Sequence, residues 1–140
     1  MKYFYVEPEV AGGLGENSLV DRSVHPPVVS ALHYRFDGWP EDAILESFPI
    51  FIVSAVAKED LAEMRASGVR FDQAEITTSD QFEELYAGRQ LPKFVWLRIV
   101  GKAGQDDFGI APDGRLVVSE RALEALRGLG ISNASVSPFI

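Results

Sequence analysis

Short runs of β-branched and aromatic residues recur along the chain and are separated by turn-forming residues, a pattern typical of a strand-rich domain. The clearest runs are "KYFYV" at residues 2–6 and "KFVWLRIV" at residues 93–100. In "VVSALHYRF", residues 28–36, the alternation places Leu32 and Tyr34 on one face of a predicted strand. The whole pattern predicts six to eight strands.

Apolar residues at helical spacing predict three or four helices between these strands. A short helix is predicted in "DGWPEDAILES", residues 37–47, because Pro40 suits a first helical turn and the acids Glu41 and Asp42 complement the helix dipole. A second helix is predicted to run up to Gly68. The predicted fold is therefore mixed α+β, with a mainly antiparallel sheet.

A third predicted helix, "TSDQFEELYAG", begins after a cap at Thr78 or Ser79. Phe82, Leu85 and Tyr86 follow at the spacing of one helix face, and Gly88 is expected to end the helix.

Two segments, at about residues 49–76 and 115–137, follow the same order of strand, serine, helix, glycine and strand. Ser54 and Ser119 lie where the strand passes into the helix, and Gly68 and Gly130 lie where a positive φ would end it. The pattern predicts two strand–helix–strand units. Either an ancient duplication or two independent uses of the same capping residues would produce it.

The length of 140 residues fits one domain over residues 1–140, of which residues 1–36 are the least regular part. The chain has no cysteine, which excludes disulfides and thiolate zinc sites. It also lacks a secretory signal pattern, and its most apolar run is ten residues long. We expect a cytoplasmic protein that does not enter a membrane.

The net charge of −8 is concentrated in residues 37–84, where twelve acids face three bases. An acidic surface repels nucleic acid and attracts basic proteins. Residues 85–140 carry scattered bases without interleaved aromatics, so no nucleic-acid-binding surface is predicted there.

No arrangement of residues predicts a catalytic, cofactor or metal site. His33 lies in a predicted strand and His25 in a loop, and the glycines of "GGLGENS" do not follow the spacing of a dinucleotide-binding loop. The segment "GKAGQDDFGIAPDG", residues 101–114, is predicted to be two turns joined by an edge strand.

Exposed acids next to aromatic residues predict a protein-binding face, because aromatic side chains are enriched at the energetic centres of interfaces. The candidates are Trp39, Glu41, Asp42, Asp80, Glu83, Glu84 and Tyr86, with Asp106 and Asp107 in the 101–114 segment.

Most of the chain, from about Phe36 to Phe139, resembles a family of immunity proteins from bacterial polymorphic-toxin systems, first noted as myxobacterial proteins of unknown function. The resemblance rests on "LVVSERALEAL", "QFEELYAGRQLP" and the segment ending in "PF". It implies a non-catalytic protein that binds and neutralises a cognate toxin. Two alternatives stay open, namely a small acid–base hydrolase that uses His33 or His25, and a regulatory domain that binds a small ligand.

Overall fold

The fold is built around two junctions at which a strand passes into a helix through a serine. The computed structural model describes residues 2–140. At both junctions the serine Oγ accepts a hydrogen bond from the N–H three residues later, at 3.1 Å for Ser54 with Ala57 and 3.2 Å for Ser119 with Ala122. Each bond satisfies a free donor of the first helical turn, so the predicted N-caps are confirmed.

Residues 2–140 form thirteen strands and three helices, more strands than predicted. The strands are β1 (Tyr3–Glu7), β2 (Gly12–Leu14), β3 (Leu19–Asp21), β4 (Val28–Ala31), β5 (His33–Phe36), β6 (Ile44–Ser47), β7 (Ile50–Ser54), β8 (Val69–Asp72), β9 (Glu75–Thr78), β10 (Phe94–Ile99), β11 (Phe108–Ile110), β12 (Leu116–Ser119) and β13 (Ser135–Phe139). The helices are α1 (Ala55–Glu63), α2 (Asp80–Leu85) and α3 (Glu120–Leu129). Among the described strands, β5 and β9 pair in parallel and the other pairings are antiparallel, so the fold is mixed α+β and mainly antiparallel, as predicted.

The short helix predicted within residues 37–47, after a turn at Asp37 and Gly38, is wrong, because Ile44–Ser47 form β6. The N–H groups of Glu41 and Asp42 donate to the carboxylate of Glu9, at 3.0 and 3.1 Å. These donors therefore find their acceptor across the chain rather than in a helical turn. The first two residues of β6 are fully buried against β7, which favours the extended form.

Two four-stranded sheets share one topology. In the first unit (β6, β7, α1, β8 and β10), the strand order is β6-β7-β10-β8. In the second unit (β11, β12, α3, β13 and β1), the order is β11-β12-β1-β13. Each unit is a hairpin followed by a helix and a parallel strand, with one antiparallel strand inserted between the parallel pair. Both predicted strand–helix–strand units are therefore present.

The two units also share register. Phe94 lies opposite Ser54, and Tyr3 lies opposite Ser119. The residue before each inserted strand is a lysine whose backbone carbonyl accepts from the first helical N–H, at 2.9 Å for Lys93 and 3.0 Å for Lys2. From β7 to β8 and from β12 to β13, equivalent residues are 65 positions apart without a gap.

The two helices end through a positive φ at equivalent positions. Gly130 has a φ of 106° after α3, as predicted. In the first unit the equivalent residue is Arg65, with a φ of 53°, and α1 ends at Glu63. The predicted helix end at Gly68 was therefore too late, and Gly68 lies in the turn before β8.

One core joins the two units. It contains the inner faces of both sheets and the buried sides of α1 and α3, among them Leu61 and Leu126, which are fully buried and equivalent. A second core covers the outer face of the first sheet, where Phe94 and Trp96 pack with Tyr34 and Phe36 of β5. The first sheet is therefore buried on both faces.

Segment 101–114 contains β11, which is an edge strand of the second sheet, as predicted. Its last turn has Gly114 at a φ of 90°. At its start, the N–H of Lys102 donates to the carboxylate of Asp106 at 2.7 Å, which closes the first turn.

Candidate protein-binding face

Helix α2 presents the densest group of predicted site residues. Ser79 caps the helix by accepting from the N–H of Phe82 at 3.2 Å, and Thr78 donates to the Glu83 carboxylate at 2.6 Å. Phe82 is 1 % exposed and anchors this short helix in the second core. The anchor fixes the direction in which the polar residues of α2 point.

Trp39 and Tyr86 form an aromatic platform on top of this anchor. The Trp39 ring stacks on Phe82 with the centroids 6.1 Å apart and the planes 19° apart. Tyr86 lies 5.0 Å from Phe82 and 5.9 Å from Trp39. Both rings are half-buried, so each presents a surface to solvent on a rigid support.

Arg89 covers part of this platform, and the sequence analysis did not identify it. Its guanidinium carbon lies 3.9 Å from the Trp39 centroid and 5.6 Å from that of Tyr86. An exposed contact of this kind contributes about 0.5–1 kcal/mol. The signal in the sequence is weak, because Arg89 lies beyond the end of α2 and no helical spacing relates it to Trp39.

Asp80, Glu83 and Glu84 are exposed on α2, and Leu85 next to them is 61 % exposed. The three residues predicted to share one helix face therefore differ in burial, since Phe82 is buried, Tyr86 is half-buried and Leu85 is exposed. The helix ends at Leu85, and Tyr86 leaves helical geometry with a φ of −129° while its ring packs on Phe82. We call Trp39, Asp80, Glu83, Glu84, Leu85, Tyr86 and Arg89 the α2 face.

Glu41 and Asp42 differ in their exposure to solvent. Glu41 is exposed, whereas Asp42 is 4 % exposed and accepts from the N–H of Asn133 at 2.9 Å. Burial raises the pKa of Asp42, and the nearby carboxylate of Glu9 adds to this effect. The carboxylate of Asp42 therefore joins the loop before β6 to the loop after α3 and is not displayed on the surface.

The two aspartates of the 101–114 segment lie on the second unit and not with α2. Asp107 is 7 % exposed, and its carboxylate accepts from Arg121 Nη2 and Ser119 Oγ, both at 2.6 Å, and from the Ser67 N–H at 2.9 Å. Burial alone would raise the pKa of Asp107, but these hydrogen bonds outweigh it and lower the pKa to about 2. Asp106 is half-buried and closes a turn. The carboxylate of Asp107 is therefore buried within the fold, whereas that of Asp106 stays partly exposed.

His33 is 5 % exposed, not half-exposed as its place in an alternating strand suggests. Its Nδ1 accepts from the Asn17 N–H at 3.2 Å, so the proton is on Nε2, which contacts Thr77 Oγ1 at 2.6 Å. A β-carbon on Gly15 would lie 2.1 Å from the ring, so only glycine fits beside it. Both nitrogens of His33 are therefore already hydrogen-bonded. His25 is exposed and lies beside Phe48, with the ring centroids 6.4 Å apart.

Within residues 2–140, no cluster of three or more histidine or acidic side chains has an arrangement that could hold a metal ion. Over the same residues, no helix is long and apolar enough to span a bilayer.

Comparison with known families and with curated proteins gives no match: no family model fits the chain, and no curated protein is significantly similar to it. The resemblance to immunity proteins therefore stays a prediction.

Proposed function

We propose that this chain is a non-catalytic immunity protein that binds a cognate bacterial toxin domain in the cytoplasm and neutralises it by occluding its surface. The contact is made by the α2 face. The toxin domain is expected to present a basic surface, as domains that act on anionic substrates do.

The observation that supports this proposal best is the rigid aromatic platform beside exposed acids. Trp39 and Tyr86 are held by Phe82, and the exposed Leu85 extends the apolar area. Interfaces concentrate their binding energy in such pre-positioned aromatic side chains, surrounded by polar groups that exclude water. The α2 face has this composition.

The charges of the α2 face favour a basic partner. Asp80, Glu83 and Glu84 are exposed on it, and the chain as a whole carries −8. An arginine of the partner could take the place of Arg89 on the Trp39 ring. Long-range attraction between opposite charges accelerates association and weakens when salt is added.

The first test is rescue. We expect co-expression of this chain to restore growth to cells that express the toxin domain encoded next to it, and the two purified proteins to form a stable complex. A toxin that kills equally with and without this chain would refute the proposed function.

The second test locates the contact. Glu84→Lys and Leu85→Asp change exposed residues of α2, so neither removes a buried contact. We expect each to weaken toxin binding at least about tenfold, because Glu84→Lys sets a cation against a basic partner and Leu85→Asp removes the apolar contact of Leu85. Glu63→Lys is the matched control, with the same change of charge on the exposed side of α1.

The dependence of toxin binding on salt concentration distinguishes the contribution of charge from that of shape complementarity. Raising the ionic strength from about 0.05 to 0.5 M should lower the association rate at least about tenfold. Rescue that persists unchanged in Glu84→Lys and Leu85→Asp would keep the immunity function and refute the α2 face as its site.

A further inference from the structure

We propose that a groove at the start of α1 binds an arginine side chain of the partner protein, in the way that the second unit binds its own Arg121. This inference rests on the proposed function, because it takes the arginine to belong to the basic surface of the toxin domain. The groove begins at Pro40, next to Trp39 of the α2 face, so one partner can reach both.

In the second unit an arginine joins the start of α3 to the loop before β11 and to the end of α1. Arg121 is the second residue of α3, and its guanidinium donates twice to the Asp107 carboxylate, from Nη2 at 2.6 Å and from Nε at 2.9 Å. Its Nη1 donates to the carbonyl of Met64 at 3.1 Å. The site therefore combines a carboxylate, the start of one helix and the last carbonyls of the other.

The first unit has the corresponding space without the arginine. Equivalent residues of the two helices are 65 positions apart, so Val56 corresponds to Arg121 and Leu129 corresponds to Met64. Both Val56 and Leu129 line the groove. Val56 is 59 % exposed and carries no donor, so nothing from α1 takes the place of the guanidinium. The internal repeat thus indicates which chemical group this groove fits.

Different residues supply the negative charge in the first unit. The equivalent of Asp107 is Ala43, but Glu41 and Asp42 precede it and both line the groove. Glu41 is exposed and can meet a guanidinium directly, whereas Asp42 is buried and adds its charge.

These acids lack a basic partner of their own. None of the ion pairs within residues 2–140 includes Glu9, Glu41 or Asp42. Burial raises the pKa of Asp42, and the nearby carboxylates of Glu9 and Glu41 raise it further. A guanidinium in the groove would offset this repulsion and stabilise the ionised form of Asp42.

The walls and the size of the groove suit the stem of one arginine. Pro92, Phe94 and Val56 give it an apolar lining, on which the methylene groups of a long basic side chain can pack. Its volume of about 300 Å³ is at the lower end of the range for small-molecule sites, about 300–1,000 Å³. Arginine is preferred over lysine because its planar guanidinium can donate to a carboxylate and to a carbonyl at once, as Arg121 does.

The direct test needs no toxin. The purified chain is titrated with Nα-acetyl-arginine amide and its backbone N–H signals are followed by heteronuclear NMR. We expect the signals of Glu41, Asp42 and Val56 to shift, with a dissociation constant on the order of 10 mM for a single side chain. The neutral isostere Nα-acetyl-citrulline amide should bind at least about tenfold more weakly, because it lacks the charge. Equal binding of the two compounds, or shifts confined to other regions, would overturn the proposal.

A variant that supplies the arginine from the chain itself tests the groove as a toxin contact. Val56→Arg places the side chain at the position equivalent to Arg121, where it should occupy the groove, abolish the shifts caused by the arginine amide and weaken toxin binding at least about tenfold. Ala62→Arg adds the same side chain at an exposed position of the same helix. This control should keep the shifts and change toxin affinity less than about twofold.

The two experiments separate this inference from the immunity function. If the wild type rescues cells from the toxin and Val56→Arg binds the toxin equally well, the groove is refuted as a contact and the function stands. If the wild type fails to rescue, the function is refuted, and the titration with arginine amide still decides whether the groove binds a guanidinium.

Discussion

The two units of this protein have the same backbone plan but different surroundings. Their strand orders, registers and capping serines correspond, yet the outer face of the first sheet is buried beneath β5 and α2, whereas residues 102–105 lie on that of the second and leave Tyr3 and Tyr5 half-buried. The shared register therefore determines which face of the sheet each side chain points to, but not which residues pack against it. The difference between the units lies in what each face carries.

The units also differ at one buried position. The N–H of Ser54 donates to the carbonyl of Ala43 at 2.9 Å, and the N–H of Ser119 donates to the carbonyl of Asp107 at 2.8 Å, so Ala43 and Asp107 are equivalent. In the second unit the side chain of this residue accepts hydrogen bonds from Arg121 of α3. Arg121 also donates to the carbonyl of Met64 at the end of α1 at 3.1 Å, which ties the two units together.

The largest effect is expected when equivalent leucines are shortened. Leu61→Ala and Leu126→Ala should each lower the free energy of unfolding by about 3 kcal/mol, since both are fully buried in one core. Because that core is shared, urea unfolding followed by circular dichroism and by tryptophan fluorescence should give coincident transitions. Separate transitions in Leu126→Ala would show that the units unfold independently.

A smaller effect is expected from acid, and its largest single source is Asp107 in the second unit. The pKa of Asp107 is about 2 in the folded protein, below the ordinary value of an aspartate. Because this pKa is lower in the folded protein than in the unfolded chain, where it is about 4, the ionised carboxylate stabilises the fold at pH values above about 4. This contribution to the free energy of unfolding, about 2 kcal/mol, is lost as the pH falls from about 4 to 2.

Urea unfolding at a series of pH values from 5 to 2 measures this loss. Asp107→Asn removes the titrating group and should flatten that part of the profile, whereas Asp60→Asn, at an exposed aspartate of α1, is the control. An unchanged profile in Asp107→Asn would assign the acid sensitivity to other carboxylates.

The smallest effect distinguishes the two capping serines. Ser54→Ala removes one cap and should cost about 1 kcal/mol. Ser119→Ala removes its cap and also the hydrogen bond to Asp107, in a side chain that is fully buried, and should cost about 2 kcal/mol. Equal losses, measured by urea unfolding, would contradict the difference that we infer at this junction.

Features that depend on neighbours in sequence were predictable. The capping serines, the glycine after α3 and the edge strand at β11 each follow from local chemistry. The helix over residues 37–47 was predicted wrongly because its free N–H groups bond to Glu9, more than thirty residues earlier. No local pattern reveals such a partner.

In the candidate site, too, features set by residue type were predictable and features set by distant contacts were not. Trp39 and Tyr86 were identified by residue type. Asp42 and Asp107, in contrast, are hydrogen-bonded to Asn133 and Arg121 respectively, and these partners come close to them only when the chain folds. The helical spacing of α2 indicated neither the contact of Arg89 with Trp39 nor the exposure of Leu85.

The insertion of β1 between β12 and β13 makes the chain path almost circular. Tyr3 lies directly opposite Phe139, so a short linker could join the two ends of the described chain. Opening the chain instead near Val10, which is 66 % exposed, would place β1 immediately after β13. In that permuted order each unit would be a continuous segment, and the two would follow one another as a tandem pair.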